Sequence, residues 1–142
     1  MLHNIPAILP PEALLYLAQM GHGDMIVIAD SNFPAQTMGK RVIRCEGSNA
    51  TEILEAVVTL LPLDTFVQDR AVTMQVVGEP DTIPPAVAEF QAIIDAKADN
   101  PAPIESIERF AFYDRAREAF AVIQTGEPRP YGNIILTKGI IV

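Results

Sequence analysis

The chain has 142 residues, of which 49% are hydrophobic and 20% are charged, and its formal net charge is -8. Because that length is typical of one domain, we treat residues 1–142 as a single domain. The composition matches compact globular proteins and excludes a disordered or fibrous chain. The excess of acidic side chains disfavours nucleic acid and anionic membranes as partners, since like charges repel each other.

Signals for membrane insertion, secretion and cofactor binding are also missing. No apolar run approaches the roughly 18 residues of a spanning helix, and the first residues lack a secretory signal, so we expect a cytoplasmic protein. Cys45 is the only cysteine, and His3 and His22 are the only histidines. These counts exclude an intrachain disulfide and a Cys/His zinc site, and predict Cys45 as a small buried residue. Since no phosphate-loop or His-Glu metal motif occurs either, we expect no metal and no cofactor.

The first predicted elements are a helix and two strands. Pro11 suits the first turn of a helix and Gly21 suits its C-terminal cap, so a helix is expected between them. Residues 25–29 form a continuous apolar run bounded by polar turn residues, which is typical of a buried central strand. Residues 41–44 predict a second, shorter strand.

The middle of the chain continues this alternation. Ser48 or Asn49 is expected to cap a helix whose apolar residues recur at helical spacing, and Pro62 helps to end it. Residues 72–77 predict a strand. Residues 84–94 open with two prolines and predict an amphipathic helix.

The C-terminal part is expected to contain a strand at 104–110, a helix at 114–120, and strands at 120–125 and 133–137. Helices and strands thus alternate along the whole chain. This pattern predicts the α/β class, with a single domain and a mixed, mostly parallel sheet covered by helices on both faces, a three-layer α/β/α arrangement.

His22 is a candidate acid or base. It lies between two glycines in the connection from the first helix to the buried strand. The glycines keep neighbouring side chains away from the ring, and imidazole groups titrate near neutral pH, so an accessible histidine there can donate and accept protons. The spacing alone also fits an ordinary surface or capping histidine.

Asp30 directly follows the apolar strand, at the edge of the sheet where ligands of α/β proteins commonly bind. A turn-forming aspartate fits the sequence equally well, because Ser31 and Asn32 come next. At roughly 3.3 Å per residue, an extended path would separate His22 from Asp30 by about 26 Å. The two residues therefore share a site only if the His22 loop folds back or if neighbouring subunits combine.

Two polar segments near the C terminus suit a sugar. Arg109 lies close to three aromatic residues, Phe110, Phe112 and Tyr113. An arginine fork beside aromatic faces suits hydrogen bonds to hydroxyls and stacking on a sugar ring, although core packing explains the two phenylalanines equally well. Residues 131–133 offer a phenol and an amide in a loop that leads into a strand, but tyrosines are also common at interfaces for packing reasons.

Together these motifs resemble the D-ribose pyranase and fucose mutarotase family over essentially the full length of the chain. Five ordered motifs with intact spacing are more specific than any one of them. Residues 109–113 look like the fucose branch, whereas Pro130-Tyr131 looks like the ribose branch. The motifs are Met20-Gly21-His22-Gly23-Asp24, Asp30 with Phe33-Pro34-Ala35, Met38-Gly39 with Val42-Ile43-Arg44, Arg109-Phe110-Ala111-Phe112-Tyr113, and Thr125-Gly126-Glu127 with Tyr131-Gly132-Asn133 and Lys138-Gly139.

The resemblance implies an isomerase that interconverts the α and β anomers of free L-fucose, with His22 as proton donor and without a cofactor. It also implies a ring-shaped homo-oligomer, typically a decamer, with active sites at subunit interfaces. Such chemistry fits the sequence, because ring opening needs only proton transfer to the ring oxygen and from the anomeric hydroxyl. The substrate contacts that the resemblance implies are Asp30, Arg109, Tyr131, Gly132 and Asn133, with Tyr113 in a secondary role.

Other functions remain open at this point. A D-ribose pyranase would interconvert pyranose and furanose forms with the same histidine. A sugar-binding module without turnover would keep Arg109, Tyr131 and Asn133 but would not need a titrating His22. A structural oligomer would use the polar loops only for packing.

Overall fold

The computed structural model describes residues 1–142 and contains five helices and six strands. Their alternation along the chain confirms the predicted α/β class. In chain order the elements are α1 (Pro11–Gln19), β1 (Met25–Ala29), α2 (Ala35–Met38), β2 (Val42–Cys45), α3 (Ala50–Val58), β3 (Ala71–Met74), α4 (Pro85–Lys97), β4 (Glu105–Ile107), α5 (Arg109–Glu118), β5 (Ala121–Thr125) and β6 (Ile134–Thr137).

All six strands form one sheet in the order β2-β5-β1-β6-β3-β4. β5 is parallel to both β1 and β2, and β3 is parallel to β4. β6 is antiparallel to its two neighbours, β1 and β3. Five strands therefore share one direction and β6 alone opposes them, which confirms the mixed, mostly parallel sheet.

β1 shows how the sheet separates two cores. Ile26 and Ile28 belong to the larger buried cluster, whereas Val27 and Ala29 belong to the smaller one on the other face, as the period of two in a strand requires. Buried residues of α1, α3 and α4 complete the first cluster, and those of α2 and α5 complete the second. The predicted three-layer arrangement is therefore confirmed.

The connection between α1 and β1 differs from its prediction. α1 ends at Gln19, and its cap residue is Met20 in an extended conformation, so Gly21 is not the helix cap. Met20 is buried in the larger core, which turns the chain out of the helix before the glycine is reached. The left-handed residue of this connection is Gly23, with a φ of 86°.

The strand predicted before the last helix is shorter than expected, because β4 ends at Ile107 and α5 begins at Arg109. The side chain of Glu108 explains why the helix begins before the predicted position. Its carboxylate accepts hydrogen bonds from the amides of Phe110 at 2.9 Å and Ala111 at 3.1 Å, and this N-cap starts the helix early. Arg109 consequently lies in the first turn of a helix rather than in a strand.

The remaining predicted boundaries lie within three residues of the observed ones. Asn49 is the cap of α3, and it forms a capping box with Glu52. The helix α2 was not predicted, because its four residues are too few to show a helical period in the sequence. No helix of the chain is long and apolar enough to cross a membrane.

Candidate functional site

A polar pocket of about 280 Å³ opens at the C-terminal end of β1. It is slightly smaller than the roughly 300–1,000 Å³ of typical drug-sized ligand sites, so it suits a small polar molecule. Every substrate contact that the resemblance implies lines it except Gly132, whose backbone is part of the same loop. The lining residues are Asp30, Asn32, Phe33, Met74, Val77, Arg109, Tyr113, Pro130, Tyr131 and Asn133.

Asp30 and Asn133 interlock at the base of this pocket. The amide of Asp30 donates to Oδ1 of Asn133 at 2.7 Å, and Nδ2 of Asn133 donates to Oδ2 of Asp30 at 3.1 Å. The amide of Asn32 donates to Oδ1 of Asp30 at 3.0 Å. Burial raises the pKa of the Asp30 carboxyl, although these hydrogen bonds oppose the increase. The pocket therefore contains a poorly solvated carboxyl group that suits the binding of a hydroxyl.

The loop before β6 has an unusual backbone. Tyr131 has a φ of 59°, in the left-handed region that residues other than glycine rarely adopt. Its hydroxyl oxygen accepts a hydrogen bond from the amide of Val77 at 3.1 Å, so the O–H proton remains available for a ligand. A Cβ atom on Gly132 would lie 2.7 Å from Cγ of Glu127 and 3.5 Å from Cβ of Asp30. Glycine is therefore required where the loop approaches Asp30.

Arg109 brings a positive charge to the pocket from the first turn of α5. Its guanidinium carbon lies 5.5 Å from the ring centre of Phe110 and 5.6 Å from that of Tyr113. No carboxylate lies within ion-pair distance of this guanidinium, so its N–H groups can donate to ligand oxygens. Tyr113 also packs against Phe33, with ring centres 5.9 Å apart, and forms one wall of the pocket.

His22 forms a pair with a buried acid. Its Nε2 atom lies 3.1 Å from Oδ1 of Asp64, and 44% of the His22 side chain is exposed against 4% of the Asp64 side chain. The ring centre of Phe66 lies 5.2 Å from that of the imidazole. If Nε2 donates its hydrogen to Asp64, Nδ1 accepts a proton in the neutral ring and donates one in the charged ring. This arrangement suits a group that both gives and takes a proton.

Asp64 is held in its charged form. Burial alone would raise the pKa of this carboxyl, but hydrogen bonds from the Phe66 amide and from His22, with the charges of His22 and Arg70, hold it below its ordinary value. A charged carboxylate stabilises an imidazolium beside it and fixes the orientation of the ring. The pair therefore resembles the orienting acid and imidazole of many proton-transfer sites.

His22 and the pocket lie at opposite ends of β1. On the neighbouring strand β6, Thr137 pairs with the first residue of β1 and Ile134 with the fourth. The amide of Asp64 donates to the carbonyl of Thr137 at 3.0 Å, whereas Asn133 directly precedes Ile134. The five residues of β1 span about 16 Å between these two ends. The structure therefore does not bring His22 into the pocket of its own chain.

Lys138 fixes the His22 loop at its end of the strand. Its carbonyl accepts from the amide of Gly23 at 2.8 Å. Its ammonium group donates to the carbonyls of Leu17 at 2.7 Å and Met20 at 2.6 Å, at the end of α1. The loop therefore does not fold back toward the pocket, which removes one of the two arrangements considered for a shared site.

Sequence reasoning missed Asp64 and Phe66. Both follow Pro62 closely, and a polar residue at that place has the ordinary appearance of a turn after a helix. The one sequence feature that indicates burial here is the apolar Leu61-Pro62-Leu63 run. Asp64 directly follows that run and is 3% exposed in the structure. A buried carboxylate needs a partner, and here that partner is His22.

Cys45 is half-buried rather than buried, because it lies at the end of the edge strand β2. Desolvation raises the pKa of its thiol, and the nearby carboxylates of Glu46 and Glu12 raise it further. A thiol in that state is a poor nucleophile. No group of three or more His, Cys, Asp and Glu side chains is arranged to hold a metal ion.

Comparisons with known proteins cover nearly the whole chain. The family model described as the RbsD / FucU transport protein family matches residues 3–141. The chain is 46% identical to the fucose mutarotase of Homo sapiens over 146 aligned residues, which cover 99% of this chain and 94% of that protein.

Solved structures share the fold. A fucose mutarotase from Streptococcus pneumoniae, solved in complex with L-fucose, is 38% identical with a TM-score of 0.92, and the match covers 99% of this chain and 100% of that one. Bacillus subtilis RbsD, solved in complex with D-ribose, is 21% identical with a TM-score of 0.77 over the full length of both chains. At that lower identity the likeness shows the fold alone.

Proposed function

The chain belongs to the RbsD / FucU transport protein family, and from this we propose that it catalyses the mutarotation of free L-fucose, the interconversion of its α and β anomers. This reaction is an isomerisation of a carbohydrate. Sequence identities of 46% and 38% to two fucose mutarotases, each over 99% of this chain, support the assignment. The single structural observation that carries it is the half-exposed imidazole of His22, paired with the buried carboxylate of Asp64.

Mutarotation needs two proton transfers and one bond rotation. The bond between C1 and the ring oxygen breaks as that oxygen gains a proton from the acid and the hydroxyl on C1 gives its proton to water, which leaves an open-chain aldehyde. Rotation about the C1–C2 bond and closure by the reverse transfers give the other anomer. We assign His22 as the general acid to the ring oxygen, with Asp64 orienting the imidazole and stabilising its charged form.

The pocket at the other end of β1 is assigned to the sugar hydroxyls. Asp30 anchors one hydroxyl, and Arg109 donates hydrogen bonds to sugar oxygens. Tyr131 and Asn133, brought close by Gly132, hold O1 and its neighbours. Tyr113 serves as a side wall or as a secondary proton relay.

A complete site then requires two copies of the chain. His22 and the pocket of its own chain lie beyond opposite ends of β1, which spans about 16 Å, so the pocket of one subunit is completed by the histidine of another. We propose a homo-oligomer, in the form of a ring-shaped decamer, with sites at its subunit interfaces. Large apolar side chains beside His22 and at the C terminus support this assembly, since Phe66 is 71% exposed and Ile141 is 84% exposed.

The proposal includes a cytoplasmic location, where free monosaccharides enter metabolism. A D-ribose pyranase is the second candidate, because the same ring opening would interconvert pyranose and furanose forms. The shared fold with a D-ribose complex favours it, but the higher identity to fucose mutarotases favours L-fucose.

Exchange NMR on L-fucose and D-ribose at equilibrium tests the proposal, because magnetisation passing between anomeric signals reports turnover directly. The wild type is expected to accelerate exchange between α and β L-fucose, and His22→Ala is expected to lose that acceleration. Exchange among ribose forms only would assign a pyranase. Binding of L-fucose without exchange would make the chain a sugar-binding module instead.

A further inference from the structure

We propose that Glu127 is a positioning residue that holds the 126–133 loop in the conformation that shapes the sugar pocket, an inference that rests on the proposed function. The Glu127 side chain is 1% exposed and does not line the pocket. The mutarotation mechanism has no step for it. A buried acid with no chemical task must act through its neighbours, and its contacts show which ones.

The carboxylate of Glu127 ties three parts of the chain together. Oε1 accepts from the backbone amide of Arg129 at 3.0 Å and from its Nε at 2.8 Å, and Oε2 accepts from the amide of Ala50 at 3.3 Å. Arg129 also pairs with Glu89 on α4 at 2.9 Å. The loop is thereby attached to the start of α3 and, through Arg129, to α4. Arg129 holds the pKa of Glu127 below its ordinary value, so the carboxylate is charged at neutral pH.

Glu127 also supports both walls of the pocket. Its carbonyl accepts from the amide of Ser31 at 2.9 Å, directly after Asp30. The loop then returns across its side chain, where a Cβ atom on Gly132 would lie only 2.7 Å from Cγ of Glu127. This close packing sets the path on which Tyr131 takes its left-handed backbone and faces the pocket. One residue therefore fixes the distance between the Asp30 turn and the Tyr131 loop.

Glu127→Gln tests this role because it keeps the size of the side chain and removes its charge. Oε2 of Glu127 accepts from the amide of Ala50 and from Nη2 of Arg129. A carboxamide that keeps the two contacts at Oε1 places an NH2 group there, which cannot accept either bond, so the loop relaxes. A hydrogen bond to a charged group is equivalent to about tenfold or more in an equilibrium constant. We expect KM for L-fucose to rise by about tenfold, with a smaller change in kcat, because uniform binding is lost while His22 is untouched.

Two control variants separate positioning from general stability. Asn49→Ala removes the other cap of α3, where the Asn49 side chain accepts from the amide of Glu52 at 2.9 Å, and it should lower the melting temperature without changing KM. Glu89→Gln weakens only the outer, half-exposed attachment of Arg129 to α4 and should raise KM less than Arg129→Gln does. Arg129→Gln, which retains the bond from Ala50 to Glu127, should raise KM less than Glu127→Gln does.

Two readouts on the intact protein decide the question. Exchange NMR over a range of L-fucose concentrations gives KM and kcat, and amide hydrogen exchange without sugar reports the order of residues 129–133. The inference predicts a higher KM and faster loop exchange in Glu127→Gln, with neither change in Asn49→Ala. Wild-type values for both readouts in Glu127→Gln, or an equal rise of KM in Asn49→Ala, would overturn it.

These readouts also keep the two proposals distinct. A wild type that does not accelerate L-fucose exchange would refute the proposed function, while the loop measurement would still test the role of Glu127. If Glu127→Gln does not fold, Arg129→Gln decides the matter, because the Arg129 side chain is partly exposed and its loss should still loosen the loop. An unchanged KM and unchanged loop exchange in Arg129→Gln would then overturn the inference.

Discussion

The two ends of β1 carry different chemistry. At its start, a half-exposed histidine lies against a buried acid, Asp64, whose pKa is lowered. At its end, the buried acid is Asp30, whose pKa is raised by burial and which bonds to an amide rather than to a histidine. The first acid is kept charged beside an imidazole. The second is poorly solvated and lies in a pocket without any histidine.

On the proposed assignment, the two ends of β1 in a single chain do not form one complete site. One end carries the histidine assigned as general acid, and the other carries the polar pocket assigned to the sugar, which contains no histidine. In the proposed homo-oligomer every chain would carry both halves, and a repeated contact between the two ends would complete a site at each interface. A variant that changes only one end of β1 separates the two contributions.

The largest effect is expected at His22. His22→Ala removes the proposed general acid, and such groups contribute about 10²–10⁴-fold to rate. We expect kcat to fall within that range while L-fucose binding, measured by saturation-difference NMR, is retained. His3→Ala is the matched control, because His3 is exposed near the N terminus. Wild-type exchange in His22→Ala would remove this residue from the mechanism.

Asp64→Asn should have the next largest effect. The loss of a charge-assisted hydrogen bond to His22 is expected to lower kcat by about tenfold to a hundredfold, with little change in KM. Asp69→Asn is the control, since Asp69 forms a partly exposed pair with Arg115 at 2.8 Å. The pH profile of kcat should shift in Asp64→Asn and stay in place in Asp69→Asn. An unshifted profile would mean that Asp64 does not orient the imidazole.

Arg109→Gln changes the other end and should act on binding. We expect KM for L-fucose to rise by about tenfold with kcat little altered, because the guanidinium donates to sugar oxygens before and after ring opening. Arg117→Gln, on the same helix, removes only an exposed pair with Asp114 and serves as the control. Equal KM values for the two variants would place the sugar elsewhere.

The smallest effects concern stability and differ in sign between the two acids. The pKa of Asp64 lies below its ordinary value of 3.8, so its stabilisation is present above that value and is lost as pH falls through the lower folded pKa. The pKa of Asp30 lies above 3.8, so its contribution is present below that value and is lost as pH rises through the higher folded pKa.

At neutral pH, Asp30→Asn is therefore expected to stabilise the fold, by on the order of 1 kcal/mol, while weakening activity. Asp64→Asn is expected to destabilise it. Urea unfolding of both variants at neutral and acid pH measures these changes, and the gain from Asp30→Asn should vanish in acid. A destabilised Asp30→Asn at neutral pH would show that burial of this carboxyl carries no penalty.

At both ends of β1 the sequence indicated some of the site residues and left others out. The pocket residues and His22 lie in short polar motifs that keep their spacing. The continuous apolar run between His22 and Asp30 predicts the buried strand β1. Asp64 was missed because its partner lies 42 positions away in the chain, and only the packed fold brings the two side chains together. The helical placement of Arg109 was missed because the cap of α5 is a glutamate, which spacing of apolar residues does not reveal.

Complementation between two defective chains tests the central claim most directly. One chain carries His22→Ala and the other carries Asp30→Asn with Arg109→Gln, and the two are co-expressed so that they assemble together. If each site combines the histidine of one subunit with the pocket of another, random mixing should restore about a quarter of the sites, measured as anomer exchange at an L-fucose concentration well below the KM of the pocket variant. If mixed oligomers form and exchange stays at the level of the separate variants, each site lies within one chain and the account is contradicted.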